Sequence, residues 1–222
     1  MFFMKLESIG ILIALRPLGE RDSLAHIFTY DYGVIAGMMR GAQVAKKNKP
    51  LIGQVGLMTW NARLDSQLGT FHWEIEKNLV ANLMNSQNCL MFMNGAFDLI
   101  NSLLPEREKY EKLYEETIRL LKGLSEENAK QTYLNWEINL LQELGYALDL
   151  SCCSGCSSRE NLQYLSPRTG RSVCETCARP YIDKLYKLPI NLEITGYFLQ
   201  RACDSQGISL PLARKVLMKK FL

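Results

Sequence analysis

The spacing of apolar residues changes once along this chain, at about residue 77, and this change restricts the fold class more than any other feature. Before it, five short runs rich in Ile, Val, Thr and aromatic residues have the two-residue period of β-strands. After it, apolar residues recur every three or four positions, as in amphipathic helices. Strands followed by helices define the α+β class. We therefore predict a β domain over residues 1–76 and a mainly α-helical domain over residues 77–222.

The five predicted strands are joined mostly by short turns. They cover residues 9–15, 23–30, 34–40, 54–64 and 68–76, with turn signals at 17–19, 31–33 and 65–69. An open sheet of this size would expose its edges, and closure into a barrel removes them. We therefore predict a five-stranded OB-type β-barrel, with an SH3-like barrel as the alternative.

Five amphipathic helices are predicted after the barrel, at residues 89–103, 110–124, 129–144, 192–205 and 211–222. The clearest is the third, in which Tyr133, Trp136 and Leu140 share one face and Gly145 follows at the usual C-terminal capping position. The basic residues of the last segment are expected on the polar side of its helix; they are Arg214, Lys215, Lys219 and Lys220.

Four of the seven cysteines form two C-x2-C pairs, Cys153 with Cys156 and Cys174 with Cys177, separated by seventeen residues. This spacing is typical of tetrahedral zinc sites, because each pair can form a tight turn that directs two thiolates to one point. Gly155 would supply the backbone freedom that such a turn needs. Four soft ligands leave no open coordination position, so we expect one structural zinc ion in a β-hairpin module at about residues 150–180.

Other roles for the cysteines fit the sequence less well. A thioredoxin-like redox pair would have one C-x2-C beside a βαβ pattern, whereas this chain has two pairs with helical flanks. Structural disulfides would require an exported protein, and the sequence has no recognisable signal peptide. Cys152 could replace Cys153 as a ligand, but the resulting C-x3-C spacing is less usual. Cys89 and Cys203 lie on apolar helical faces and are expected in the core.

The sequence indicates neither an active site nor a membrane segment. Walker, dinucleotide-binding, nucleophile-elbow and HExxH motifs do not occur. The two histidines, His26 and His72, alternate with apolar strand residues and are expected at ordinary sheet positions. No apolar run approaches the roughly 20 residues that span a bilayer. We therefore predict a cytoplasmic protein that is not an enzyme.

Basic residues are concentrated towards the two ends of the chain, although the net charge is only +3. Residues 1–64 contain eight Lys/Arg against four Asp/Glu, and residues 211–222 contain four against none. The modest net charge says little about partners, whereas its uneven distribution favours a local site for an anionic polymer.

A basic loop is predicted between the third and fourth strands. No acidic residue occurs between Asp31 and Asp65, and the loop contains no aromatic residue. Its basic residues are Arg40, Lys46, Lys47 and Lys49, and Arg21 in the first turn would extend the patch. On a small barrel such a loop can neutralise several phosphates of a nucleic acid, by backbone contact more than by base stacking. The alternative is a solvated surface loop.

Several short motifs occur in a recognisable order. GERDS at residues 19–23 precedes the second strand, and YGV at 32–34 leads to MRGA at 39–42 and the basic loop. A helix from WE at 136–137 to LGY at 144–146 is followed by LDL at 148–150 and the four cysteines. In this order, the motifs resemble the RecO family of bacterial DNA repair proteins over nearly the whole chain.

The resemblance implies an N-terminal OB-fold, a helical domain with a zinc module, and the role of a recombination mediator. Proteins of this family bind single- and double-stranded DNA and anneal complementary strands. They contact the acidic C-terminal tail of single-stranded DNA-binding protein (SSB) and work with RecR to load RecA in the RecFOR pathway. The positions of this chain expected to contact DNA are Arg40, Lys46, Lys47 and Lys49, with Arg21.

The zinc ion would support the fold, and the protein would act in the cytoplasm, at the nucleoid. The competing hypothesis, from a different class of protein, is a zinc-ribbon adaptor in which the barrel and the cysteines bind other proteins and DNA is not annealed.

Overall fold

The computed structural model describes residues 4–64 and 67–222. The chain forms two compact units, one extending to Ala129 and the other covering Lys130–Leu222. The domain division predicted after residue 76 stays a prediction; in the structure, the first two helices belong to the same unit as the five strands.

The first unit begins with five strands, where the sequence predicts them. They are β1 (Met4–Leu18), β2 (Asp22–Thr29), β3 (Gly33–Met39), β4 (Gln54–Ala62) and β5 (Gly69–Asn78). The connection between β2 and β3 is tight because it ends at Gly33, whose φ of +64° is readily accessible only to glycine. The turn predicted at residues 65–69 includes Asp65 and Ser66, which lie outside the described residues.

The strands close into a barrel in the order β1-β2-β3-β5-β4, with β4 paired back to β1. β1 pairs with β4 through residues 4–11 and with β2 through residues 10–18. A register shift between Leu12 and Ala14 marks the bulge at which β1 bends from one neighbour to the other. A short parallel pairing of residues 37–39 with residues 69–71 joins β3 to β5. The predicted OB-type barrel is therefore confirmed.

Apolar side chains at alternate strand positions fill the barrel. Ile27, Ile35, Met58 and Trp60 are completely buried there. A Cβ at Gly69 would lie 2.1 Å from the Trp60 ring, so this position leaves room only for glycine. The two-residue period seen in the sequence thus identifies the inward face of the strands.

Two helices complete the first unit: α1 (Gln87–Leu103) and α2 (Glu111–Gly123). α1 packs against β1 and α2. It begins before the predicted start because the Ser86 hydroxyl accepts a hydrogen bond from the Cys89 N–H at 3.3 Å and caps the helix. The segment after α1 runs beside β3, where the Arg107 N–H donates to the Val34 carbonyl at 2.9 Å.

The second unit combines helices with a small three-stranded sheet. Its elements are α3 (Ala129–Glu143), β6 (Leu162–Leu165), β7 (Ser172–Cys174), α4 (Glu175–Ala178), a 3-10 helix (Arg179–Lys184), β8 (Tyr186–Lys187), α5 (Leu192–Ser205) and α6 (Leu212–Phe221). The β-hairpin predicted within residues 150–180 is confirmed by the antiparallel pair β6 and β7. β8 and the 3-10 helix were not predicted, because elements this short have no readable period. Among the described residues, no helix is both long enough and apolar enough to cross a membrane.

The expectation that Arg214 lies on the polar side of the last helix is wrong. Its side chain is fully buried and forms an ion pair with Glu137 of α3, which is also fully buried. The guanidinium also donates to the Leu192 carbonyl at 2.8 Å and to the Thr195 hydroxyl at 3.2 Å. Burial is the largest single influence and lowers the pKa of Arg214, but the charge and hydrogen bond of Glu137 act together with Tyr133 in the opposite direction and hold the pKa above its usual value. This network joins α3, α5 and α6.

Candidate metal centre and nucleic-acid interface

Four cysteine sulfurs converge in the second unit. The Sγ atoms of Cys153, Cys156, Cys174 and Cys177 all lie within 4.8 Å of one another, and those of Cys156 and Cys174 are 3.7 Å apart. Sulfurs at about 2.3 Å from a tetrahedral zinc ion would be separated by about 3.8 Å. The cluster therefore has the size and the donor chemistry of a four-cysteine zinc site.

Backbone N–H groups favour the thiolate form of Cys153. Its Sγ accepts hydrogen bonds from the N–H groups of Cys174 and Gly155, each at 3.3 Å. The bond from the Cys174 N–H has the largest effect on the pKa of Cys153. Together the bonds lower this pKa to about 6, although burial opposes them. Because the thiolate is the form that binds metal, this environment suits a metal ligand.

A cation is needed for all four cysteines to ionise together. Contact with the Cys156 thiol is the largest of the causes that raise the pKa of Cys177 to about 12. A divalent metal ion would offset the repulsion between neighbouring thiolates, since coordinated thiols are deprotonated. The cluster therefore fits a metal ion in charge as well as in geometry.

Cys152 is not one of the four clustered cysteines. Its carbonyl accepts a hydrogen bond from the Ser172 hydroxyl at 2.8 Å, and its side chain is half-buried. This backbone contact fastens the chain just before Cys153 to β7. The structure thus brings together the four residues that the C-x2-C spacing selected.

Gly155 leaves space because it has no side chain. It does not supply the backbone freedom expected from the sequence. A Cβ on Gly155 would lie 3.1 Å from the Cys177 Sγ, which is closer than side chains normally approach. The residue of this turn with a positive φ is Ser157, at +61°. The tight packing of the two cysteine pairs, and not the path of the chain, therefore favours glycine here.

The core of the cysteine module is small. Its buried members are Cys153, Val173, Cys174 and Ala178, and its partly buried members are Leu162, Tyr164, Cys177 and Leu185. So few apolar side chains stabilise a folded segment only weakly. A metal ion bound to the cysteines would supply stability that this core lacks.

The basic loop follows β3, and its charged side chains are exposed at Arg40, Lys46, Lys47 and Lys49. The turn that carries Arg21, also exposed, lies beside this loop. The Gln43 N–H donates to the Arg21 carbonyl at 3.1 Å, and the Gln43 side chain donates to the Gly19 carbonyl at 3.2 Å. The structure therefore places the five predicted basic residues in one region of the barrel surface.

The basic loop contains no aromatic residue, but aromatic residues of β5 lie beside it. Phe71, His72 and Trp73 line a cavity of about 180 Å³ together with loop residues that include Arg40 and Asn48. His72 is exposed, Trp73 is half-buried and Phe71 is buried. From the sequence, His72 is expected at an ordinary sheet position and has no association with the loop. The only sequence signal was the aromatic run FHW at residues 71–73.

Fold and site together define a class of protein: a basic OB-type barrel combined with a helical unit that bears a cluster of four cysteines. The family profile "Recombination protein O N terminal" matches residues 4–78, and the profile "Recombination protein O C terminal" matches residues 90–222. The chain belongs to the RecO family of DNA repair proteins.

Curated relatives support this assignment along almost the whole chain. The DNA repair protein RecO of Jannaschia sp. (strain CCS1) is 36% identical, over 94% of this chain and 93% of the relative. That of Roseobacter denitrificans is 36% identical, over 98% of both chains. That of Rhodospirillum centenum is 35% identical, over 86% of this chain and 84% of the relative.

Proposed function

We propose that this protein is a recombination mediator in DNA repair, as the family resemblance implies. It binds single- and double-stranded DNA, anneals complementary strands, and helps to load RecA onto SSB-coated DNA in the RecFOR pathway. The observation that carries this proposal is the exposed basic loop with Arg21 held beside it. The role is to bind and pair strands, without catalysis of a covalent step.

Charge neutralisation is the proposed mechanism. Phosphates of two approaching strands repel each other, and lysines that displace counterions reduce this repulsion. The basic loop is anchored for this task, because the Gly41 N–H donates to the Asp22 carboxylate at 2.7 Å. Binding and annealing should then both weaken steeply as the salt concentration rises.

The proposed cofactor is one structural zinc ion on Cys153, Cys156, Cys174 and Cys177. Four sulfur ligands leave no position for water or substrate, so the ion would hold the module in shape and take no direct part in annealing. The close spacing of the four sulfurs and the N–H bonds to Cys153 support this assignment.

The proposed partners follow from the family resemblance. They are single- and double-stranded DNA, RecR, the acidic C-terminal tail of SSB and, indirectly, RecA. A protein that acts on these partners works in the cytoplasm, at the nucleoid.

Replacing Lys46, Lys47 and Lys49 together with alanine is expected to weaken binding to single-stranded DNA and to reduce its salt dependence. If the five basic residues each neutralise one phosphate, raising the salt from about 50 to about 200 mM weakens the wild-type protein roughly 100-fold. With three of the five removed, the same change weakens the variant only roughly 7-fold. Fluorescence anisotropy with a labelled oligonucleotide across this range measures both slopes.

The matched control removes the same charge elsewhere in the first unit. Lys77 on β5 and Lys112 and Lys122 on α2 are also exposed, so their triple alanine variant has an equal net charge. We expect it to retain most of the wild-type affinity and slope. Equal losses in the two triple variants would show that the loop has no special role.

Annealing separates this proposal from the zinc-ribbon adaptor. The wild-type protein should accelerate pairing of complementary strands coated with SSB, and the loop triple variant should not. An adaptor that binds only proteins would leave the uncatalysed annealing rate unchanged. A protein with intact folding and no annealing activity would therefore favour the adaptor.

A further inference from the structure

The closing seam of the barrel is open along part of β5. β3 pairs with β5 only through residues 37–39 and 69–71. Beyond this short pairing, His72 and Trp73 line the cavity that they share with Arg40, Asn48 and Pro50. This seam cavity, defined by those five residues, therefore lies directly beside the basic loop.

The lining of the seam cavity combines three kinds of group. His72 offers an exposed ring, with 70% of its side chain accessible, and its Nε2 lies 3.0 Å from the Glu74 carboxylate, which orients it. Arg40 supplies a guanidinium and Asn48 an amide, and both are exposed. A flat ring, a cation and an amide together match a nucleotide, because rings stack on bases, guanidinium binds phosphate and amides bind base edges.

We propose that the seam cavity receives one unpaired base of single-stranded DNA while Arg40 and the lysines of the basic loop hold the neighbouring phosphates. The inference rests on the proposed function, since it requires DNA at the basic loop. A base inside a duplex is stacked and paired, and it enters such a cavity only if it leaves the helix. Duplex DNA therefore contacts the phosphate-binding residues alone.

This difference gives annealing a direction. Before pairing, a strand is held by its phosphates and by one base in the seam cavity. When the complementary strand pairs with that base, the base leaves the cavity and the duplex keeps only the phosphate contacts. The protein then binds its substrate more tightly than its product, so the annealed duplex is released.

An abasic strand tests the proposal on the unaltered protein. Two oligonucleotides of about 15 nucleotides are compared, one of thymidine and one of abasic sugar-phosphate with equal charge. We expect the abasic strand to bind about 5- to 150-fold more weakly, the range for loss of one stacked base. Equal affinities for the two strands would overturn the proposal.

Tryptophan fluorescence reports the cavity separately. Of the three tryptophans, Trp60 and Trp136 are buried and Trp73 is half-buried beside the proposed base. The thymidine strand should therefore change the emission at saturation, whereas the abasic strand should not. Identical changes with both strands would contradict a base in the cavity.

Variants at His72 distinguish stacking from other effects. His72→Ala should lower affinity for the thymidine strand and leave affinity for the abasic strand unchanged, and His72→Phe should restore much of the loss. Asn61→Ala is the matched control, because Asn61 is an exposed polar residue of β4 outside the cavity. Loss in His72→Ala that affects both strands equally would contradict the proposal.

Failure of this inference and failure of the proposed function give different results. If the two strands bind equally but with steep salt dependence and loss in the lysine triple variant, the basic loop binds DNA and the seam cavity does not. If binding is insensitive to salt and to the lysines, the proposed function itself is wrong.

Discussion

Replacing Cys153 with serine is expected to abolish stoichiometric zinc binding and to unfold the cysteine module while the barrel stays folded. Cys153 is 1% exposed, and its Sγ accepts two backbone N–H bonds, so the change removes a ligand and the centre of the module's small core. Structural zinc sites contribute on the order of 10 kcal/mol, far more than this core can replace.

Two measurements detect the loss of zinc and the unfolding of the cysteine module. Metal analysis of purified protein should give one zinc per wild-type chain and none for Cys153→Ser. Hydrogen exchange should then become fast in β6 and β7, whose pairing depends on the module, and remain slow in β1 to β5. Removing the metal from the wild-type protein with a strong chelator should reproduce the same exchange pattern.

The neighbouring cysteine provides the control. Cys152→Ser changes a half-buried residue outside the cluster and leaves the backbone contact of its carbonyl with Ser172 possible. This variant should keep its zinc and its exchange protection. Zinc loss in Cys152→Ser with retention in Cys153→Ser would reverse the assignment of the first ligand.

The second large effect is expected at the buried ion pair of the helical unit. Glu137→Gln leaves the Arg214 guanidinium charged, fully buried and without its carboxylate. Removing one partner of a buried pair typically costs about 3–5 kcal/mol, because the remaining charge is uncompensated. The free energy of unfolding of this unit, followed by urea denaturation with helix circular dichroism, should fall by that amount.

Two further variants show whether the unpaired charge is the cause. Glu137→Leu combined with Arg214→Met removes both charges and should recover much of the loss, since apolar groups can replace a buried pair. Arg171→Gln breaks the exposed contact with Asp149, at 3.5 Å, and should change stability little. A double variant as unstable as Glu137→Gln would locate the cost in packing and not in charge.

Local periodicity was sufficient for most of the fold. The strands and long helices appear at the predicted places, because a buried face imposes its repeat directly on the sequence. Short elements were missed for the same reason: β8 has two residues and carries no repeat. Periodicity also misjudged Arg214, since it treats a charged residue as surface, whereas Glu137 from another helix compensates its burial.

For the candidate sites, the sequence by itself determined the four cysteines and the basic residues of the loop. Ligand spacing and charge are local properties of the chain, so they are readable without coordinates. The tertiary structure alone decided that β5 places His72 and Trp73 beside the loop. It did so because β3 ends at Met39, after three pairs with β5, while β5 continues to Asn78. A cavity that depends on where two distant strands stop pairing has no signature in either strand's own sequence.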